Sequence, residues 1–289
     1  MTTPLNFQQI GLVYRASLPQ SRVITAEMLQ FVEERGGTAW VCDNRDLEKR
    51  IDELRTSDLL IVLGGDGTII RVARMTLDCE TAILGINQGR LGFLAEIQPS
   101  EWAERFQQVL TGPIWFETRL SVQAKLWRDG TCIGQYTALN EVSISRAGRS
   151  KVIRLEAFVN DSYLTSYTAD GMILSTPTGS TAYALAAGGP ILSPELRNLL
   201  LIPIAPHLSL DRAIVLSAED KVQFTVHTLD QASLALDGQI DVDLVDKDIV
   251  EIETSPHASR FLRLRERSYF HKTLMHQLGW PQNRSNSKK

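Results

Sequence analysis

Cysteine is scarce. The 289 residues hold three, Cys42, Cys79 and Cys132, an odd number far apart, with no pair at metal-ligand or redox spacing. That excludes a disulfide framework and reads as reduced thiols in a cytosolic chain. The five histidines, His207, His227, His257, His271 and His276, show no ligand spacing either, so no structural metal is expected. No apolar run approaches the roughly 20 residues of a membrane-spanning helix. Residues 1–9 are polar and lack a basic segment followed by an apolar one, so no secretory leader is expected. Charge of one sign is also missing. A net charge of −4 gives no global reason for nucleic acid or an anionic membrane as partner. An anionic ligand must then be held by a local arrangement. Hydrophobic residues at 43% and charged residues at 22% exclude a disordered chain.

What is present falls into two patterns. In the first third, short apolar runs alternate with helical periodicity. Strands are expected at 10–14, 38–42, 59–63 and 82–85, and helices at 24–35, 47–54, 68–75 and 102–110. The five consecutive apolar residues Leu59 to Leu63 have the look of a strand buried on both faces. Strand, helix, strand, helix in that order means a parallel sheet with crossover helices. After the break at Thr111-Gly112-Pro113, strands follow one another: 120–127, 132–139, 142–145, 152–159, 164–167, 222–227, 234–236, 249–254 and 261–264. Arg128-Asp129-Gly130 and Asn160-Asp161 suit hairpin turns. One helix interrupts at about 180–187, with Gly188-Gly189-Pro190 as its stop, and another is expected at 269–278. The fold class is therefore a parallel α/β domain joined to a mainly antiparallel β domain, and the polar tail 281–289 is expected to be disordered.

Two segments carry the strongest chemical signals. Leu63-Gly64-Gly65-Asp66-Gly67-Thr68 lies between a buried strand and a helix. Glycines there let backbone amides approach a ligand, and the helix start adds partial positive charge, which makes a phosphate cradle. A carboxylate repels phosphate, so Asp66 has a separate job, as a base or as a metal or hydroxyl partner; the plain alternative is a helix N-cap. The second signal is Ser175-Thr176-Pro177-Thr178-Gly179-Ser180-Thr181-Ala182-Tyr183, rich in hydroxyls, Gly and Pro and leading into a helix. It suits a polar planar ligand approaching the backbone.

Weaker signals surround these. The loop from Asn87 to Leu94 follows the next strand, at the end of the sheet where ligands bind in open α/β folds. Phe93 could stack on a base, although core is the commoner fate of a Phe. Asn140-Glu141, an amide beside a carboxylate in an apolar region, could hold two ribose hydroxyls or be an ordinary strand edge. Asp237-Gly238-Gln239 reads first as a hairpin turn. The cluster Arg146, Arg149, Lys151 and Arg154 is either a solvated loop or an anion contact.

Taken together, Gly64 to Thr68, Asn87 to Leu94, Asn140-Glu141, Asp170-Gly171, Thr176 to Tyr183 and Gly188-Gly189-Pro190 resemble the NAD kinase family in order and spacing, over about residues 10–280. The Gly-Gly-Asp-Gly element alone is shared with phosphofructokinases and lipid kinases; Thr-Pro-Thr-Gly-Ser-Thr-Ala-Tyr is far more specific. The resemblance implies an N-terminal Rossmann-like α/β domain, 1–117, with 268–289 packing back on it. It further implies a β-sandwich-like domain, 118–267, and an active site between the two. It implies transfer of the γ-phosphoryl of ATP to the 2′-hydroxyl of the adenosine ribose of NAD, with Mg²⁺ accompanying ATP, in a cytoplasmic homodimer or homotetramer. Asp66 falls on the family's catalytic base. Gly64, Gly65, Gly67, Thr68 and Arg71 fall at phosphate positions, with Phe93 beside them. Asn140, Glu141 and Asp170 fall where the family holds ribose and nicotinamide. Thr178, Thr181, Ala182 and Tyr183 face the NAD, followed by Ala184, Leu185 and Ala186, and Lys151 and Gln239 match further ligand positions. One departure is Ala205, where the family's Pro-Ile-Cys-Pro-His segment has Cys.

Overall fold

A computed structural model describes residues 6–89, 92–147 and 152–278. Arg90, Arg149, Lys151 and the tail 281–289 lie outside the described residues. The chain divides into two compact units, residues 1–117 with 260–289, and residues 118–259.

The first unit is built on a six-stranded sheet in the order β2-β1-β3-β4-β18-β5. Its strands are β1 (Gln9–Tyr14), β2 (Thr38–Asp43), β3 (Leu59–Gly64), β4 (Ala82–Asn87), β5 (Trp115–Arg119) and β18 (Ser259–Arg263). β1 runs parallel to β2 and β3, β3 to β4, and β4 to β18. Every residue of β3 and β4 is buried, as continuous apolar runs in a covered parallel sheet must be. One core joins Leu59, Ile61 and Leu63 to Ile24, Met28 and Val32 of α1 (Pro19–Glu33) and to Phe106 and Val109 of α4 (Trp102–Thr111). Helix α1 begins five residues before the expected Ile24, because Pro19 occupies its first turn with φ already suited to a helix. A 3₁₀ turn, Leu47–Arg50, and α2 (Ile51–Thr56) replace the single helix expected at 47–54. Helix α3 is Asp66–Met75 and α6 is Tyr269–Gln277. The strand expected at 261–264 is β18; it joins this parallel sheet, Arg260 opposite Ala82.

The second unit is two antiparallel six-stranded sheets. The first has the order β10-β9-β14-β17-β6-β7 and contains β6 (Val122–Arg128), β7 (Thr131–Ala138), β9 (Ile153–Val159), β10 (Ser162–Ala169), β14 (Val222–His227) and β17 (Ile249–Thr254). The other, β13-β12-β11-β8-β15-β16, contains β8 (Glu141–Arg146), β11 (Gly171–Ser175), β12 (Asn198–Ile204), β13 (Ile214–Ser217), β15 (Ala232–Leu236) and β16 (Ile240–Leu244). Alternate residues such as Val122, Ala124 and Leu126 of one sheet share a core with Val142, Ile144 and Leu234 of the other. The Asp129-Gly130 and Asn160-Asp161 turns carry positive φ at both residues, 49° and 76° in the first and 49° and 63° in the second. That is the backbone that matches strand twist in two-residue hairpins. No helix among the described residues is long and apolar enough to cross a membrane.

Candidate functional site

In the first unit the ends of β3 and β4 lie side by side, Gly64 opposite Asn87, so the loops that follow leave the same edge of the sheet. Gly65 is the N-cap of α3 in extended conformation, and Asp66 is the first helical residue. A Cβ on Gly64 would come within 2.9 Å of Thr68 Cβ and Oγ1, so the turn closes this tightly only with glycine there. The carboxylate of Asp66 does not cap its own helix. It accepts the Phe93 N–H at Oδ2, 2.9 Å, and the Leu94 N–H at Oδ1, 3.3 Å. The N-cap alternative for Asp66 is thereby excluded. Gly92 lies against the same carboxylate: a Cβ there would stand 2.2 Å from Asp66 Oδ1. Each carboxylate oxygen keeps a further lone pair, so the group can still take a proton from a ligand.

Gly64, Gly65, Asp66, Gly67, Thr68 and Phe93 are thus gathered at one sheet end. Phe93, which could stack on a base or belong to the core, has an aromatic neighbour, Phe270 of α6, at 6.3 Å between ring centroids. Arg71 turns elsewhere: its guanidinium donates to the Asn44 carbonyl, 2.9 Å, and pairs with Glu48.

In the second unit the Asn140-Glu141 pair is held from two sides. The Asp237 carboxylate accepts three successive backbone N–H groups, Leu139 at 3.0 Å, Asn140 at 2.7 Å and Glu141 at 3.2 Å. Asp237 opens the β15–β16 turn at φ 52°, a left-handed conformation that Asp tolerates better than most residues. Asp237-Gly238 has a turn signature in the sequence, but nothing local signals that the Asp237 side chain also braces a segment 97 residues away. From the other side, the Asn140 carbonyl accepts the Thr176 N–H at 2.8 Å, and the Thr176 hydroxyl donates to the Leu139 carbonyl at 2.6 Å. Gly179 packs so closely that a Cβ would meet Asn140 O at 2.2 Å.

The hydroxyls of the Thr-Pro-Thr-Gly segment mostly fold the segment itself. Ser180 donates to Pro177 O at 2.6 Å, Thr181 to Thr178 O at 3.2 Å, and Thr178 accepts from buried Arg119 at 3.3 Å. The single helix expected at 180–187 is instead a 3₁₀ turn, Gly179–Thr181, and a one-turn α5 (Tyr183–Ala186), because Ala182 departs from helical backbone at φ −106°, ψ −125°. Tyr183 is exposed, Thr181, Ala182 and Leu185 are half-buried, and Ala186 is exposed; Ala184 is core, against Ile173 and Leu200.

Asn140 Oδ1 and Glu141 Oε2 are buried with no hydrogen-bond partner in the protein. Burial, with the Asp237 charge adding to it, pushes the Glu141 carboxyl up to about 8, against the pull of the Tyr183 backbone N–H. Near neutral pH the pair therefore offers a carboxyl donor beside an amide acceptor, a set complementary to adjacent hydroxyls. Asp170 is not beside them. Ser175 of β11 pairs with Glu141, whereas Gly171 pairs with Ser145 at the far end of β8, roughly 13 Å along the strand at 3.3 Å per residue. There Asp170 accepts from Arg146 at 2.7 Å, which removes Arg146 from the solvated-loop reading. Arg154 pairs with Glu156 at 3.0 Å. Gln239 is exposed beside the β15–β16 turn. Among the described residues no three His, Cys, Asp or Glu side chains gather to hold a metal.

Residues 12–114 match the family model described as ATP-NAD kinase N-terminal domain, and residues 139–264 match ATP-NAD kinase C-terminal domain. The NAD kinase of Chloroflexus aurantiacus is 38% identical over 271 residues, covering 94% of this chain and 98% of that one. That of Heliobacterium modesticaldum is 37% identical over 269 residues, covering 90% and 95%. Among solved structures, an NAD kinase from Archaeoglobus fulgidus in complex with ATP superposes with a TM-score of 0.73 at 27% identity, covering 95% of this chain and all of that one. Yeast NADH kinase complexed with NADH shares the fold, with a TM-score of 0.81 at 24% identity over 99% of this chain and 91% of that one.

Proposed function

Because the chain belongs to the ATP-NAD kinase family, we propose that it transfers the γ-phosphoryl of ATP to the 2′-hydroxyl of the adenosine ribose of NAD, giving NADP and ADP. Asp66 is the general base. It takes the hydroxyl proton as that oxygen bonds to the γ-phosphorus and the bond to the β–γ bridging oxygen breaks, releasing ADP. The amides of Gly64, Gly65, Gly67 and Thr68 and the start of α3 hold donor phosphates. Asn140 and Glu141 grip ribose hydroxyls, with Asp170, Thr178, Thr181, Ala182, Tyr183 and Lys151 as further NAD contacts.

The observation that carries this reading is the Asp66 carboxylate: it opens a helix after a glycine turn, caps nothing there, and is oriented by two amides from another loop. Mg²⁺ travels with ATP in this scheme and neutralises phosphate charge, which needs few protein ligands because the phosphates supply their own. We place the enzyme in the cytoplasm as a homodimer or homotetramer. Incubating the purified chain with ATP, Mg²⁺ and NAD and assaying NADP with an NADP-specific dehydrogenase tests the activity. NADP formation proportional to enzyme is expected, and ATP-dependent turnover of lipids or sugar phosphates in its place would overturn the reading.

A further inference from the structure

Arg263 ends β18, about 170 residues after the loop it touches, and its guanidinium is buried. Its Nε and Nη2 both reach Glu117 Oε2 at 2.7 Å, and its Nη1 donates to Glu96 Oε2 at 3.3 Å and to the Leu94 carbonyl at 2.9 Å. Glu96 is fixed in turn, its Oε1 accepting the Leu264 and Arg265 amides at 3.0 and 2.9 Å. Leu94 is the residue whose N–H faces Asp66 Oδ1. From α6, Gln277 Nε2 donates to the Gly92 carbonyl at 2.9 Å. That carbonyl belongs to the same peptide group as the Phe93 N–H bonded to Asp66 Oδ2. The two carbonyls flanking the Asp66-facing amides are therefore both held by the C-terminal return of the chain.

We propose that Arg263 and Gln277 are positioning residues for the reaction: they fix the Gly92–Leu94 backbone, and through it the orientation of the Asp66 carboxylate. The inference rests on the reading of Asp66 as base. A purely structural role accounts poorly for the cluster, since a buried ion group of two carboxylates and one guanidinium contributes little net stability over apolar packing of the same volume. What Arg supplies that apolar residues do not is a rigid fork of donors at set directions. Gly92 makes the coupling tight, because its Cα lies against the carboxylate with no room for a side chain. A shift of the loop must move the carboxylate, and misplacement of about 1 Å at a reacting group costs on the order of a hundredfold in rate.

The test uses the full chain carrying Arg263→Lys, Gln277→Leu, Asp66→Asn, and Arg263→Lys combined with Asp66→Asn. Steady-state kinetics, melting temperature, and hydrogen–deuterium exchange of the peptide containing Phe93 and Leu94 are read together. Arg263→Lys should lower kcat about tenfold or more and Gln277→Leu severalfold, with KM for NAD and ATP within about twofold. Exchange at Phe93 and Leu94 should speed up while β3 and β4 stay protected. In the double variant Arg263→Lys should add no loss beyond Asp66→Asn, because it acts through that residue. A lowered melting temperature with kcat per folded molecule and loop exchange unchanged overturns the proposal. Where Arg263→Lys yields no folded protein, Gln277→Leu decides by the same readouts. Asp66→Asn with normal turnover would sink the base assignment itself, separately from the positioning claim.

Discussion

Asp66 and Glu141 are two carboxyl groups in unlike surroundings. Asp66 accepts two amides, one at each oxygen. Asp66→Asn keeps only one of these acceptors, so one N–H loses its partner, a cost of about 1–3 kcal/mol. The melting temperature should fall modestly, while kcat for NADP formation falls about 10²–10⁴-fold and KM for NAD changes little. A variant that turns over near the parent rate rejects Asp66 as base. Glu141 is held in its neutral form, its carboxyl raised from 4.5 to about 8 by burial and then by the Asp237 charge. Below the unfolded value both folded and unfolded chains carry the proton, and the contribution of this group to stability is complete. Between the two values the folded state keeps a proton that the unfolded chain has released. Stability is therefore lost as pH rises through that window, at up to about 1.4 kcal/mol per pH unit, and levels off above about pH 8. Glu141→Gln removes the titration, so the melting temperature of the variant relative to the parent should rise from pH 5.5 to pH 8.5; calorimetry giving a constant difference contradicts this. Glu141→Ala should raise KM for NAD, because ribose hydroxyls lose a partner; parent-like kcat and KM would dismiss the ribose clamp.

At the scale of elements, legibility followed how local the signal was. β14 and β17 lie where alternation places them, and β3 where an unbroken apolar run does. β5, β11, β12, β13 and β16 were not legible. β5 carries Glu117 and Arg119 at buried positions, which hides its pattern; Glu117 is buried because Arg263, from the far end of the chain, pairs with it. β12 contains Pro203 between two partner strands, which argues against a central strand. The structure accommodates it because β13 pairs only with Asn198 to Leu201, leaving the Pro203 position unpaired on that side. β16 alternates Asp241 and Asp243 outward on a sheet edge. For the proposed site, the Gly-Gly-Asp-Gly turn and the Asn140-Glu141 pair were readable as motifs, since each is contiguous. Arg263, Gln277 and the bracing role of Asp237 were not, since each acts across about a hundred residues or more. Gly179 joins two readable motifs. Gly179→Ala would drive a Cβ to 2.2 Å from the Asn140 carbonyl, a backbone atom already tied to Thr176. We expect about 1–3 kcal/mol less stability in urea unfolding and a higher KM for NAD as Asn140 and Glu141 are displaced. Unchanged midpoint and KM would show that the two segments can separate without consequence.

For the molecule as a whole, among the described residues the end strands of the second unit's sheets pair with a neighbouring strand on one side only. β10 and β7 end one sheet, and β13 and β16 end the other. Open edges present unpaired N–H and C=O groups that invite pairing with another chain. Here they also carry apolar side chains: Tyr163 on β10 is 59% exposed, Ile133 on β7 47% and Val215 on β13 52%. A net charge of −4 over 289 residues is too small to oppose self-association. Symmetric homo-oligomers are the usual outcome when one surface is self-complementary, and this is the basis on which we expect a dimer or tetramer. Sedimentation equilibrium at micromolar concentration should give two or four times the 32.3 kDa chain mass. Tyr163→Lys and Val215→Glu, each placing a charge where an apolar contact would form, should shift the population toward monomer, since an unpaired buried charge costs several kcal/mol. Assembly also couples to folding by mass action, so the melting temperature of the parent should rise with protein concentration while that of a dispersed variant should not. A parent that sediments at 32.3 kDa and melts independently of concentration is a monomer, and the edges then need another explanation.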